Sequence, residues 1–362
     1  MPWLPPPAAR RRRGVRFAAL GALTVEVGAA ATPGVAPEPP LGRAVVPPLP
    51  LPAASPDPQR LAEARAAFGG EVRESTLGGY LFLTDIDDPA LLERAARVIG
   101  ALEAIYHERY GRRPVGTPRE AIVLFSSALD YRRFQAGDRR LAGLTASTGL
   151  ARSGMVATFR GLRQDHELLG TLVHEIVHLL NRRAIGPALP SWLDEGLADD
   201  LGASRIDPNG RLWPGTWSRT LEAHENEIRI SGGEAALRDL ADVFGPDGSA
   251  PGRLDLGAML ALEWEDFVAE QGAELHYAAA AAFIRMLLAA PAKSTVFRGW
   301  LARVSAGGSP AAEELRRALD RPWEELEHEL ALWTRGELAR LPPLRPAGGP
   351  VSTPLPPPRT PR

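Results

Sequence analysis

The sequence has 362 residues, 44% of them hydrophobic and 24% charged, which is typical of a globular protein with enough chain for one large domain or two ordinary ones. The formal net charge of −2 argues against a nucleic-acid-binding protein, which usually carries a basic surplus on one face. The absence of cysteine excludes disulfides, thiolate metal sites and cysteine nucleophiles, so any bound metal must be held by His, Asp or Glu.

The N-terminal segment has the order of a secretory signal. Arginines at positions 10–13 and 16 precede an apolar run over 17–25, and alanines at 29–31 offer a small-residue cleavage site. Residues 1–31 are therefore a possible signal peptide, which favours an extracytoplasmic (secreted or periplasmic) location. Glu26 interrupts the apolar region, and a basic tail on a cytoplasmic protein is the alternative. The run is too short to cross a bilayer and no other segment qualifies, so no stable membrane span is expected.

Two proline-rich segments, 32–58 and 342–362, predict an extended linker and an extended tail. The folded part is expected between them. Strands and helices mix in the predicted lobe 59–188, whereas the predicted lobe 189–341 is mainly helical. The expected fold class is therefore α+β, with two lobes.

The first lobe shows strand and helix patterns in turn. Short apolar runs at 80–83 and 121–125 predict buried strands. Between them, apolar residues at three- and four-residue steps (Leu92, Ala96, Ile99, Leu102 and Ile105) predict an amphipathic helix over 91–110. The segment 144–159 predicts a hairpin. Its last strand, 155–159, is a candidate edge strand for docking a peptide, or else merely a cover for the core.

The pattern turns helical after Asp165. A helix is predicted over 168–183, ended by Gly186 and Pro187, and a second over 191–201. Further helices are predicted over 254–262, 274–288 and 311–341, the last broken near Pro322.

The first of these helices carries the HExxH pattern His174-Glu175-Ile176-Val177-His178. Residues four apart lie on one helical face, so both imidazoles can reach one metal ion, while Glu175 is offset towards a metal-bound water. The flanking residues are apolar nearly all round, which predicts a buried helix. Buried polar side chains need partners, and a metal would supply one.

A second acidic segment follows after a short loop. Ser191 and Asp194 have the spacing of a capping box. Glu195 has no such structural role and is the candidate third ligand. Asp199, one turn on, is expected to accept a hydrogen bond from the free ring nitrogen of a ligand histidine. Asp200 is expected to face elsewhere, so that Asp200→Ala would change little.

Together the HEIVH and WLDEGLADD segments resemble the gluzincin branch of the zincin metallopeptidases, in particular the bacterial peptidase-MA-like domains, over about 77–333. The resemblance implies a zincin-like fold and a Zn²⁺ cofactor. It implies His174, His178 and Glu195 as metal ligands, Glu175 as general base, and Asp199 as a residue that supports the cofactor.

The chain also departs from the related alanyl-aminopeptidase pattern. Sixteen residues separate His178 from Glu195, slightly fewer than in those enzymes, and Asp194 replaces their usual asparagine. Their glycine-rich exopeptidase motif has no counterpart upstream. The resemblance therefore carries no aminopeptidase specificity.

Downstream of the third ligand, related enzymes often place a tyrosine or histidine that stabilises the oxyanion. Tyr277 is the candidate catalytic residue for this role, with ordinary helix packing as the alternative. His276 is expected to be exposed and His166 to be a polar first-turn residue. Trp192 is expected to pack under the third-ligand turn, and the alanines at 278–282 to allow close helix packing.

These features predict a zinc peptidase that hydrolyses peptide bonds in a peptide or protein substrate. One alternative is a catalytically inactive zincin-like domain that binds peptide or cell-wall components. Another is a zinc hydrolase acting on a non-peptide amide, and a third is a metal-free scaffold with proline-rich arms. Substrate specificity, endo- versus exo-cleavage and oligomeric state stay open.

Overall fold

A computed structural model describes residues 55–137, 148–152, 154–217, 234–244, 254–269 and 272–341. These residues all fall within one compact unit. The predicted signal peptide, residues 32–54 of the predicted linker, the predicted tail and hairpin residues 144–147 lie outside them.

The N-terminal part contains one five-stranded sheet. Its order is β1-β2-β3-β5-β4, with β2, β3 and β5 parallel and the outer strands β1 and β4 antiparallel to their neighbours. The strands are β1 (Arg73–Leu77), β2 (Tyr80–Thr84), β3 (Ala121–Phe125), β4 (Gly149–Arg152) and β5 (Met155–Phe159). The helices of this part are α1 (Pro58–Ala67), α2 (Pro89–Tyr110), α3 (Ala128–Ala136) and α4 (Asp165–Ala184). The expected α+β class is confirmed.

The C-terminal part is helical apart from a two-stranded sheet of β6 (Arg205–Ile206) and β7 (Leu212–Trp213). Its helices are α5 (Ser191–Gly202), α6 (Glu234–Val243), α7 (Leu256–Leu260), α8 (Trp264–Phe267), α9 (Ala273–Ala289), α10 (Pro291–Ser305), α11 (Ala312–Leu319) and α12 (Trp323–Arg340). Helix α5 packs against both α4 and α9, so it joins the two parts.

The three parallel strands of the five-stranded sheet, β2, β3 and β5, are buried on both faces, whereas the outer strand β1 is exposed. Along β3, Ile122 and Leu124 belong to the larger core, which also includes apolar residues of α2 and α4. Val123 and Phe125 point to the opposite face and join a smaller core with residues of α1 and α3. Because successive strand residues alternate between faces, a strand covered on both sides is apolar throughout. This explains why the pattern 121–125 was readable as a buried strand.

The prediction that 155–159 forms the edge strand is wrong. Strand β5 pairs with β3 on one side, where Met155 faces Ala121, and with β4 on the other, where Met155 faces Arg152. Its residues are buried as expected for an interior strand. Among the described residues β4 forms this edge of the sheet instead.

Most predicted elements have the expected type and place, with three differences. In α2 the buried face contains Leu91, Ala95, Val98 and Tyr106, whereas Leu92 and Ile105 only flank the core. The predicted helix 254–262 is reduced to the five residues of α7. The elements that were not predicted are α1, β1, α3, β6, β7, α6, α8 and α10.

No single helix among the described residues is long and apolar enough to cross a membrane. The pair α9 and α10 reaches that length and hydropathy only jointly, and the two helices meet at 115°. Residues 278–287 of α9 are buried within the protein.

Close packing of α5 on α9 depends on Gly196. A Cβ atom at this position would meet Ile284 Cδ1 at 2.8 Å and the backbone of Ala280 at 3.1 Å. The alanines of α9 therefore allow the close approach that was expected of them.

We expect Gly196→Ala to lower the free energy of unfolding by about 1–3 kcal/mol, because added volume in a packed core forces its neighbours apart. The control is Gly299→Ala in α10, because a Cβ atom at this position would have no neighbour within 4 Å. That variant should instead stabilise by about 0.5–1 kcal/mol through helix propensity. Urea unfolding of both variants tests the contact, and equal effects of the two would contradict it.

Candidate metal centre

Helix α4 holds the HExxH pattern in its buried interior. Its first turn is capped by Glu167, whose carboxylate accepts a hydrogen bond from the Gln164 backbone N–H at 3.0 Å. The acidic side chains of the first turn and the basic side chains of the last turn suit the helix dipole. His174 and His178 are one turn apart, and their Nε2 atoms lie 3.2 Å from each other. The local sequence thus places both imidazoles on one face.

Helix α5 brings the third donor to this face. The two helices lie close together at Gly202, where a Cβ atom would meet His174 Cβ at 2.8 Å. Glu195 Oε2 then lies 3.3 Å from His174 Nε2 and 3.6 Å from His178 Nε2.

The three distances form a nearly regular triangle. Metal–nitrogen and metal–oxygen bonds of about 2.0–2.1 Å at tetrahedral angles separate donors by about 3.3 Å. The observed edges of 3.2, 3.3 and 3.6 Å agree with that spacing. In addition, Glu195 Oε2 is buried and has no hydrogen-bond partner, although it faces both imidazoles. His174, His178 and Glu195 could therefore hold one metal ion.

Asp199 makes the contact that was predicted for it. Its Oδ1 lies 2.7 Å from His174 Nδ1, and the side chain is almost fully buried. A hydrogen bond donated by Nδ1 leaves Nε2 as the unprotonated nitrogen that faces the metal position. Asp199 therefore orients His174.

His178 also faces a carboxylate, which was not predicted, although its Nδ1 atom makes no hydrogen bond within the described part of the chain. Asp194 Oδ2 lies 3.1 Å from His178 Nδ1. Asp194 Oδ1 accepts a hydrogen bond from Asn181 Nδ2 at 2.6 Å, and Tyr106 Oη donates to Asn181 Oδ1 at 2.8 Å. A chain of three polar side chains thus lies beside the second imidazole.

The capping box proposed for Asp194 is wrong. Helix α5 begins after Pro190 without a side-chain cap, so Ser191 is already the first helical residue. The Asp194 carboxylate turns instead towards α4. Spacing along one helix could not reveal this contact, because Asp194 and His178 belong to different helices.

The centre carries a negative field. Burial lowers the pKa of His178, but Asp194 and Glu195 outweigh it and raise the pKa to about 9. Burial also lowers the pKa of His174, but the Asp199 carboxylate raises it. The resulting pKa of His174 is well above the ordinary value. Surroundings that favour an imidazolium also favour a divalent cation in its place, with release of the protons.

Glu175 lies beside the triangle and belongs to none of its edges. It is buried, and burial raises its pKa above the usual range. The backbone of β4 passes close to it, since a Cβ at Gly149 would meet Glu175 Cδ at 2.7 Å. Gly149 thus leaves room for this carboxylate. The sequence predicted only a hairpin over 144–159 and did not indicate this contact.

Tyr277 lies near the acidic groups of the centre. Burial raises the pKa of its hydroxyl, and the Glu195 and Asp199 carboxylates raise it further. Its ring packs edge-on against Phe267, with centroids 5.3 Å apart. Tyr277 therefore packs against Phe267 while its hydroxyl lies in the field of the carboxylates of the centre.

The other predicted aromatic and imidazole positions are settled by their contacts. His276 is half-buried rather than exposed, and its Nδ1 lies 2.9 Å from Phe267 O. His166 is half-buried in the first turn of α4. Trp192 is fully buried and stacks on Trp300, with centroids 6.0 Å apart.

Asp200 faces away from the metal centre, as expected, but it is not a surface residue. The Asp200 side chain is completely buried and forms ion pairs with both Arg109 and Arg285. It also accepts a hydrogen bond from Tyr110 Oη at 2.7 Å. Because Asp200 follows Asp199 directly, it points away from the metal centre into a second buried network.

This sequence matches no family model and no curated protein. The geometry of the metal centre and the resemblance of its two motifs to the gluzincins are therefore the observations that bear on function.

We expect Asp199→Ala to weaken metal binding by about 10–100-fold, the usual cost of removing a partner that orients a ligand histidine. Competition with a chelator measures the affinity. Asp87→Ala serves as control because the side chain of Asp87 is 88% exposed and pairs with Arg73, away from the metal centre. Equal affinities of the two variants would make Asp199 a purely structural carboxylate.

Proposed function

We propose that this protein is a zinc-dependent peptidase of the gluzincin type, with a zincin-like fold. The observation that carries the proposal is the triangle of two imidazole nitrogens and one carboxylate oxygen at 3.2, 3.3 and 3.6 Å. A fourth group, Glu175, lies next to this triangle without belonging to it.

The donor set favours zinc over magnesium and calcium. Magnesium and calcium prefer all-oxygen ligands, whereas two imidazoles with one carboxylate suit a catalytic zinc ion. Three protein ligands leave one coordination position for water or substrate. A structural zinc site, by contrast, usually has four protein ligands, often cysteines.

The catalytic steps follow from the positions of the chain's own residues. When bound, zinc supplies a Lewis acid that activates water and polarises the substrate carbonyl. Glu175 would accept the proton of the attacking water and deliver it to the leaving amine. Its raised pKa, caused by burial, suits a group that must take up and then release a proton near neutral pH. Tyr277 would donate a hydrogen bond to the oxyanion.

Strand β4 is the proposed docking edge for the substrate. Among the described residues it pairs only with β5, and Gly149 lies directly against Glu175. Arg182 of α4 donates to Ala151 O at 3.3 Å, which holds the strand beside the active-site helix. An extended peptide that adds to this edge would bring a scissile bond next to Glu175, and main-chain hydrogen bonds would supply affinity.

Metal quantification on the purified protein tests the cofactor. We expect about one zinc ion per chain, lost in His174→Ala and in Glu195→Ala, because three protein ligands define the site. His166→Ala, on the same helix, should keep its zinc. Chelation should also lower the melting temperature, since the ion binds the folded state. Purified protein without zinc would contradict the proposal and favour the metal-free scaffold.

Hydrolysis separates the remaining alternatives. Cleavage of a quenched fluorescent peptide library by the zinc-loaded protein, and its loss on chelation, would support a peptidase. A protein that binds zinc but cleaves no peptide would favour the catalytically inactive binding domain. Cleavage of non-peptide amides alone would favour the zinc hydrolase that acts on such amides.

A further inference from the structure

A cavity lies beside α2, away from the candidate metal ligands. It has a volume of about 840 Å³ and is bounded by α2, by the turn between β6 and β7, by the end of α9 and by α10. Four arginines line it, against a single acidic residue, Glu108. These arginines are Arg97, Arg109, Arg211 and Arg298. None of the three candidate metal ligands takes part.

The wall formed by the β6–β7 turn is held firmly against α2. Gly210 adopts a positive φ of 79°, and a Cβ there would meet Arg94 O at 2.8 Å. Arg97 Nε donates to Asn209 O at 2.6 Å. Asp207 Oδ1 accepts hydrogen bonds from the backbone N–H groups of Asn209 and Arg211 at 2.9 and 3.0 Å. The cavity is therefore a defined feature of the fold.

The positive charge of the lining is only partly neutralised. Arg109 shares the single carboxylate of Asp200 with Arg285, and Arg97 pairs with Glu93. Among the described residues, Arg211 and Arg298 form no ion pair within 4.0 Å, although Arg211 is near enough to help lower the pKa of the Asp207 carboxyl. Two guanidinium groups at this cavity thus keep their capacity to bind an anion.

Most of the remaining lining residues, apart from Asn209, are apolar or aromatic. Leu212 is buried at the base of the turn, and Ile105 and Leu288 also line the cavity. The Arg211 guanidinium lies 3.9 Å above the centre of the Trp213 ring. Apolar walls with a few convergent charged groups are typical of small-molecule sites, and the volume is within the usual range of about 300–1,000 Å³.

We propose that this cavity binds a small organic anion with a phosphate or carboxylate group on an apolar or planar body. The arginine fork matches both of these oxyanions in geometry and charge. Arg211 and Arg298 would bind the anionic group, while the side chains of Leu212 and Trp213 would contact the body. The ligand site is independent of the metal centre.

Isothermal titration calorimetry on the full chain, after chelation of metal, tests the proposal with two anionic probes. Adenosine monophosphate carries a phosphate on a planar body, and benzene-1,3-dicarboxylate carries carboxylates. Adenosine is the uncharged comparison. We expect at least one anionic probe to bind and adenosine to bind at least about tenfold more weakly, since hydrogen bonds to a charged group are the strong ones. The probe that binds more tightly identifies the oxyanion.

The double variant Arg211→Ala/Arg298→Ala should weaken binding of that probe by about tenfold or more. Its control is Arg317→Ala/Arg340→Ala, two arginines with 62% and 77% exposed side chains on α11 and α12, outside the cavity. All four side chains are exposed, so both variants should fold, which melting temperatures will verify. The proposal is overturned if neither probe binds at millimolar concentration, if adenosine binds as tightly, or if the two double variants behave alike.

Discussion

Replacing Glu175 with glutamine is expected to reduce peptide hydrolysis by about 10²–10⁴-fold, the usual contribution of a general base. Glutamine keeps the size of the side chain but cannot accept the proton of the attacking water. Glu175 forms no edge of the triangle of His174, His178 and Glu195, so the variant should retain its zinc. Parallel measurements of kcat and of bound zinc separate the two roles.

The matched control is Glu167→Gln, the same substitution in the first turn of the same helix. Its carboxylate caps α4, and glutamine can still cap, so activity should stay close to that of the native protein. Loss of zinc from Glu175→Gln would show that Glu175 is itself a ligand. Native activity in that variant would show that another group is the base.

Removal of the Asp200 carboxylate is expected to lower the free energy of unfolding by about 3–5 kcal/mol, the typical cost of breaking a buried ion pair. Asp200→Ala would leave Arg109 and Arg285 with no other ion-pair partner among the described residues. It would also remove the acceptor of the Tyr110 hydroxyl. Chemical denaturation, monitored by circular dichroism, measures the effect.

Asp266→Ala is the comparison, because Asp266 is exposed on α8. A surface substitution of this kind should change the free energy of unfolding by no more than about 0.5 kcal/mol. Similar values for both variants would mean that the Asp200 network does not stabilise the fold. A large loss of stability in Asp200→Ala would also make this variant unsuitable as a surface control for the Asp199 experiment.

The sequence by itself determined those features that depend on residues close together in the chain. The spacing of His174 and His178 placed two imidazoles on one face because a helix repeats every 3.6 residues. The step from Glu195 to Asp199 obeys the same geometry, and the predicted contact of Asp199 with a ligand histidine is present. The interior strand 121–125 was readable because burial on both faces demands a continuous apolar run.

Tertiary structure alone decided the features that join distant segments. The order of the strands places β4 at the edge of the sheet among the described residues. The residues of a single strand do not show which other strand pairs with it. Asp194 meets His178, and Gly149 meets Glu175, only after separate elements pack together. Asp200 and Asp199 are adjacent in sequence yet point into different networks. Neighbouring positions on a helix differ by about 100° in direction, and what lies in each direction is set by the packing of other elements.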